Sequence, residues 1–163
     1  MLRVTKEFAF EMAHALSRYD GKCENVHGHT YFLSITVSGE PGNDASSPKC
    51  GMVMDFSDLK LIVKDHILDY FDHALVLNET DPRKDVLNNI STRLILAPYQ
   101  PTCENLVLDI VQRISVFMGG PVKLFSVKLR ETPTSYAEWF AADNINRSVT
   151  QELLIAQCDL SDS

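Results

Sequence analysis

The stretch Cys23-Glu24-Asn25-Val26-His27-Gly28-His29 concentrates residue types that bind metals and move protons. Two histidines at i and i+2 at the start of a strand project from one face, their Cα atoms roughly 6–7 Å apart. That spacing lets both imidazoles converge on one ion, and Gly28 between them leaves the opposite side uncrowded. A third histidine, His14, ends the apolar strand that precedes them. Three neutral imidazoles leave one tetrahedral position open, the pattern of a catalytic rather than a structural zinc. A lone inward histidine is ordinarily a satisfied core residue, but three of the chain's five histidines fall at adjoining strand ends. Cys23 is then either a fourth ligand or a nucleophile or base beside the metal. Lys22 and a nearby ion would both favour its thiolate, and spacing alone leaves the two roles open.

Asp72-His73 lies at a helix end, where the pair either satisfies local backbone groups or forms a carboxylate-oriented imidazole for proton transfer. Glu131 shares the parity of Phe125, Val127 and Leu129 on its strand. A carboxylate on an apolar face is costly unless paired or ligand-bound. It could accept two hydrogen bonds from the amidine-like edge of a pterin or guanine ring, or simply mark an exposed strand terminus. His66 sits within a helix's apolar stripe and reads as structural, and Cys50, Cys103 and Cys158 read as small inert hydrophobes.

The elements that must position these residues follow from periodicity. Residues 2–13 alternate, with Leu2, Val4, Phe8, Phe10 and Met12 on the parity that His14 shares, so His14 points inward. A polar loop over 15–26 leads to a second strand with His29, Tyr31, Leu33, Ile35 and Val37 on one face. After the turn at 39–48 a short strand is expected over Gly51–Met54. Leu59, Ile62, Val63, His66, Ile67, Tyr70 and Phe71 then repeat at helical spacing, with Asp55 or Ser57 as N-cap. Residues 78–101 show no strong period, although Val86–Ile90 and Leu94–Leu96 suit short elements. Thr102 caps a second helix whose apolar stripe runs from Leu106 to Met118, stopped by Gly119-Gly120-Pro121. Strands over 122–131 and 136–142 follow. The tail carries a weak capping box, Ser148 to Gln151, before Glu152–Ala156. The order strand, strand, helix, helix, strand, strand predicts an α+β domain with an antiparallel sheet and two helices on one face. One domain is expected over 1–145, with 146–163 as its C-terminal extension.

A chain of 163 residues with 45% hydrophobic and 23% charged residues suits one globular domain. A net charge of −7 speaks against non-specific nucleic-acid binding. No apolar run approaches the roughly 20 residues needed to span a bilayer. Four widely spaced cysteines without an export signal point to reduced thiols and a cytoplasmic setting.

His14 after an aromatic-rich strand, Cys-x-x-x-His-Gly-His at 23–29, Asp72-His73, Pro-Thr-x-Glu-Asn at 101–105 and Leu-Arg-Glu at 129–131 together resemble the 6-pyruvoyl-tetrahydropterin synthase family over residues 3–142. Within it, the three-residue gap between Cys23 and His27 resembles the 6-carboxytetrahydropterin synthases of the queuosine pathway. The resemblance implies the tunnelling fold, ββααββ, closed into an oligomeric barrel as a hexamer of two trimers with active sites between subunits. It implies that His14, His27 and His29 hold zinc and that Cys23 accepts a proton. His73, assisted by Asp72, would complete the relay, Glu131 would anchor the pterin ring and take part in that relay, and Thr102 would help hold the ring. The substrate implied is 7,8-dihydroneopterin triphosphate, and the products are 6-carboxy-5,6,7,8-tetrahydropterin, acetaldehyde and triphosphate. Arg18 and Lys22, beside the catalytic loop, are expected to help neutralise the triphosphate. Two rivals follow: elimination of triphosphate alone to give the 6-pyruvoyl product, and a non-catalytic module with a closed zinc site of Cys23 and the three histidines.

Overall fold

Alternation of apolar and polar side chains builds the two longest strands, β1 (Leu2–His14) and β2 (His27–Gly39). In the computed structural model, which describes residues 1–145, they pair antiparallel along their whole length, from Leu2 opposite Gly39 to His14 opposite His27. Phe10, Met12, Tyr31, Leu33, Ile35 and Val37 point to the same face and are buried, while Glu7, Glu11, Thr30 and Phe32 on the other face are exposed.

Two helices cover the buried face. The first begins as α1 (Phe56–Val63), capped by Asp55, whose carboxylate accepts the Ser57 N–H at 2.7 Å. It widens into a π-helical turn, Lys64–Leu68, and resumes as α2 (Asp69–Phe71). Leu59, Val63, Ile67 and Phe71 are all buried at a spacing of four. On a 3.6-residue helix that spacing drifts by about 40° per step. The wide turn takes the drift back and keeps one stripe on the sheet. His66, in that turn, stacks on Phe117 with ring centroids 4.2 Å apart, a packing role.

The expected strand at Gly51–Met54 does not form. The Gly51 N–H donates to the Gly42 carbonyl at 2.7 Å and the Gly42 N–H to that of Met52 at 2.9 Å, which closes a loop instead.

The larger correction lies after α2. β3 (Ala74–Asn78) and β4 (Leu94–Ala97) add two strands to the sheet, joined by α3 (Lys84–Ile90). β3 runs parallel to both β1 and β4, so the sheet is mixed and not antiparallel throughout. The physical reason is two-sided burial. Leu75 and Leu77 pack with Ala15 and with Leu87 of α3, while Ala74 and Val76 join the main core. A strand covered on both faces has no alternation to read, and a parallel neighbour needs the long crossover that 79–93 supplies.

Thr102 caps α4 (Cys103–Ser115), which buries Leu106, Val107, Ile110, Val111 and Ile114. β5 (Lys123–Thr132) and β6 (Ser135–Phe140) then complete the order β4-β3-β1-β2-β5-β6. A register shift in β5 puts Leu124 in the core beside Val127 and Leu129. Phe125 is displaced from that parity and lies under the Arg3 guanidinium, 3.7 Å from the ring centroid. The capping box at Ser148–Gln151, the segment Glu152–Ala156 and Cys158 lie outside the described residues. Among the described residues no helix is long and apolar enough to cross a membrane.

Candidate metal centre

The register of β1 and β2 sets His14 opposite His27 and Met12 opposite His29. All three imidazoles project from the helix-covered face, and their ligand nitrogens lie within 4.8 Å of one another, a group that could hold a metal ion. The Nε2 atoms of His14 and His27 are 3.2 Å apart. Each ring's Nδ1 meets a carbonyl oxygen, Pro101 at 2.7 Å for His14 and Asn25 at 2.8 Å for His27. A carbonyl only accepts, so both Nδ1 atoms carry a proton, and in the tautomer a metal ligand requires each ring turns an Nε2 lone pair inward. Facing lone pairs at that distance suit a cation between them. Two nitrogens about 2.05 Å from a tetrahedral zinc would stand roughly 3.3 Å apart, so the donor set fits the ion. Burial, the largest influence, holds His14's basicity below the ordinary imidazole value, against the Pro101 bond and the charge of Glu131, which raise it. His14 is thereby kept as the neutral ligand a metal requires.

Glu131 arrives beside this triad by a backbone irregularity. Arg130 pairs with Tyr136 and Thr132 with Ser135, leaving Glu131 unpaired in a β-bulge, the device that re-aims a side chain. Its Oε1 accepts the Tyr31 hydroxyl at 3.0 Å and lies 3.6 Å from His14 Nε2. Tyr31 is fully buried, and burial, then the Glu131 charge, push its hydroxyl pKa up, so it stays a donor. A groove of about 540 Å³ runs past Gly28, His29, Thr30, Arg130 and Glu131, within the range of small-molecule sites.

Cys23 sits in a 3-10 turn, Lys22–Glu24, and is partly exposed. Its sulfur is not part of the metal-binding group, which comprises the three histidines alone among the described residues. Asp72 Oδ1 accepts both the Glu11 N–H and the His73 Nδ1–H at 2.9 Å. His73 lines a second groove of about 400 Å³ with Glu11, Gly28, His29 and Thr30. The two grooves therefore share Gly28, His29 and Thr30. The His73 side chain is 74% exposed, so on one chain the dyad faces solvent. His73 and Arg18 are the two non-glycine residues with positive φ among those described, at 60° and 59°. Such strain collects at functional sites. Arg18 and Lys22 are both exposed, Lys22 as the first residue of the Cys23 turn.

Thr102 Oγ1 accepts the Asn105 N–H at 3.3 Å as the N-cap of α4. The adjoining groups were not legible from spacing. The Pro101 carbonyl orients His14, and Gln100 grips Ser17 through both backbone groups, donating to its carbonyl at 2.6 Å and accepting its N–H at 3.1 Å. The Tyr31 phenol and the Asn25 carbonyl were missed likewise. By spacing Tyr31 is an apolar-face residue, but a buried tyrosine needs a hydroxyl partner, and that need is its signal in residue type. Cys103 is half-buried, its thiol donating to the Leu129 carbonyl at 3.3 Å. Burial first, then the Glu131 charge, push that thiol up to about 12, which leaves it unreactive.

Comparison with known proteins gives a consistent picture. The family model described as 6-pyruvoyl tetrahydropterin synthase matches residues 3–142. A Haemophilus influenzae protein named 6-carboxy-5,6,7,8-tetrahydropterin synthase is 40% identical over 143 residues, covering 85% of this chain and 99% of that one. A Synechocystis protein of the same name is 32% identical, covering 85% and 92%. Among solved structures, the Caenorhabditis elegans 6-pyruvoyl tetrahydropterin synthase superposes with a TM-score of 0.60 at 27% identity, covering 85% of this chain and 94% of that one.

Proposed function

The chain belongs to the 6-pyruvoyl tetrahydropterin synthase family of lyases, and on that premise we propose that it is a zinc-dependent 6-carboxy-5,6,7,8-tetrahydropterin synthase. The reaction takes 7,8-dihydroneopterin triphosphate and one water to 6-carboxy-5,6,7,8-tetrahydropterin, acetaldehyde and triphosphate. The observation that carries the proposal is the convergence of three imidazoles, two of them with inward Nε2 lone pairs, with Glu131 beside them and the Cys23 sulfur outside the group. The name shared by the Haemophilus and Synechocystis relatives favours the 6-carboxy product over the 6-pyruvoyl one.

His14, His27 and His29 would hold the zinc. When bound, that ion would polarise the side-chain oxygens of the substrate and acidify the neighbouring C–H bonds. Glu131 accepts two N–H bonds from the amidine edge of the pterin, with Tyr31 holding one carboxylate oxygen in place. Thr102, at the N-terminus of α4, borders the ring. Cys23 accepts the proton from the substrate side chain, and His73, oriented by Asp72, passes protons onward. Arg18 and Lys22 neutralise the triphosphate. The exposure of the Asp72–His73 dyad on one chain suits an active site completed by a second copy, in a homo-hexamer of two trimers in the cytoplasm. The 146–163 segment would extend the same domain.

Product analysis tests the proposal. Zinc-loaded protein incubated with 7,8-dihydroneopterin triphosphate should release acetaldehyde in step with triphosphate. Triphosphate without acetaldehyde would assign the 6-pyruvoyl reaction instead.

A further inference from the structure

The crossover between β3 and β4 carries a bonded assembly that reaches back across the chain to the turn holding Cys23. It begins at Asn78, the buried last residue of β3. The Asn78 side-chain oxygen accepts the Thr80 N–H at 2.8 Å, and its carbonyl accepts the Asp81 N–H at 2.9 Å. Asp81 is fully buried, and its carboxylate accepts three hydrogen bonds, all from Arg83. Oδ1 accepts the Arg83 N–H at 2.8 Å and Nε at 2.9 Å, and Oδ2 accepts Nη2 at 2.7 Å. A guanidinium pinned on two of its nitrogens can aim the third. Nη1 donates to the carbonyl of Glu24, a residue 59 positions earlier in the chain and adjacent to Cys23.

The neighbouring carbonyls of that turn are also engaged. Leu16 N–H donates to the Cys23 carbonyl at 2.9 Å, and Asn25 donates to that of Lys22 at 3.2 Å. The first is an anchor to the end of the β1 strand, and the second is internal to the turn. Among the described residues Arg83 is therefore the hydrogen-bonded link between the Cys23 turn and the far side of β3. We propose that the Asp81–Arg83 pair is a positioning device for Cys23, and that this is the role of the crossover between β3 and β4. Arg83 touches neither substrate nor metal in this account. It acts through the backbone of the turn, and its catalytic consequence rests on the reading of Cys23 as the proton acceptor.

Two variants separate positioning from bulk stability. Arg83→Lys keeps a cation beside Asp81 but cannot bridge to the Glu24 carbonyl at the same time. Arg83→Ala removes both contacts. The readouts are the iodoacetamide alkylation rate of Cys23, followed by mass spectrometry on the tryptic peptide of residues 23–49, which contains no other cysteine, together with bound zinc, Tm, kcat and KM. For Arg83→Lys the expected result is near-native Tm and zinc content, alkylation about fivefold faster, kcat about tenfold lower and KM within twofold. Arg83→Ala should show the same with a lower Tm. Wild-type alkylation and kcat in Arg83→Lys would overturn the proposal, as would losses in either variant that only track Tm. The alkylation rate does not depend on the reaction, so a failure of the pterin synthase assignment would appear as an inactive wild-type protein while the latch is still decided.

Discussion

Replacing Cys23 with alanine separates a proton acceptor from a fourth ligand. The variant should retain about one zinc per chain by elemental analysis and lose turnover by at least about 100-fold, whereas His27→Ala should lose the metal itself. Loss of zinc from Cys23→Ala would assign the sulfur to the metal. Tyr31 offers a second test at this scale. Tyr31→Phe removes one hydrogen bond to Glu131 and should cost about 1 kcal/mol of stability in a denaturant titration. It should raise KM for the pterin more than it lowers kcat, because Glu131 loses its orientation but not its charge. At His73 the positive φ predicts a trade. Asn tolerates that conformation better, so His73→Asn should hold or raise stability in a denaturant titration, by up to about 1 kcal/mol of relieved strain, while turnover collapses. The grouping of His14, His27 and His29 was legible because imidazoles at adjoining strand ends have few other uses in such numbers. The groups that aim them were not, since a carbonyl such as Pro101 or Asn25 leaves no mark in residue type.

At the scale of elements, legibility followed exposure. β1 and β2 alternate because one face meets solvent, and α4 shows its stripe for the same reason. β3 is buried on both faces, so its apolar run carried no period, and although Leu94–Leu96 suited a short element, nothing in the sequence showed its parallel pairing with β3. The bulge that frees Glu131 was hidden because it needs the partner strand to define it. The crossover turn makes its own prediction through Asp81. Hydrogen bonds from Arg83, the first cause, hold the Asp81 carboxyl below its ordinary value of 3.8 despite burial, which acts the other way. A folded value below the unfolded one stabilises the protein above the unfolded value, and that stability is lost as pH falls through the folded one. Asp81→Asn should therefore cost about 2 kcal/mol at pH 7, and the gap to wild type should close in urea titrations as the pH is taken from about 5 to below 3.

For the whole molecule, the exposed Asp72–His73 dyad bears on assembly. A site completed between copies predicts complementation. Cys23→Ala and His73→Ala, each inactive alone, should regain activity when coexpressed, up to about a quarter of wild type from random pairing of intact halves. Sedimentation should show a hexamer for the same mixture. No recovery would place all the groups of each site on one chain. The chain's register and its bulge bring together three histidines that could hold a metal ion, with Glu131 beside them and the Cys23 sulfur outside the group; the proposed function requires that an ion there keep a position for the substrate. X-ray absorption at the zinc edge of the metal-loaded protein tests this geometry most directly. The account predicts only nitrogen and oxygen neighbours at about 2.0–2.1 Å, and a sulfur neighbour at about 2.3 Å would contradict it.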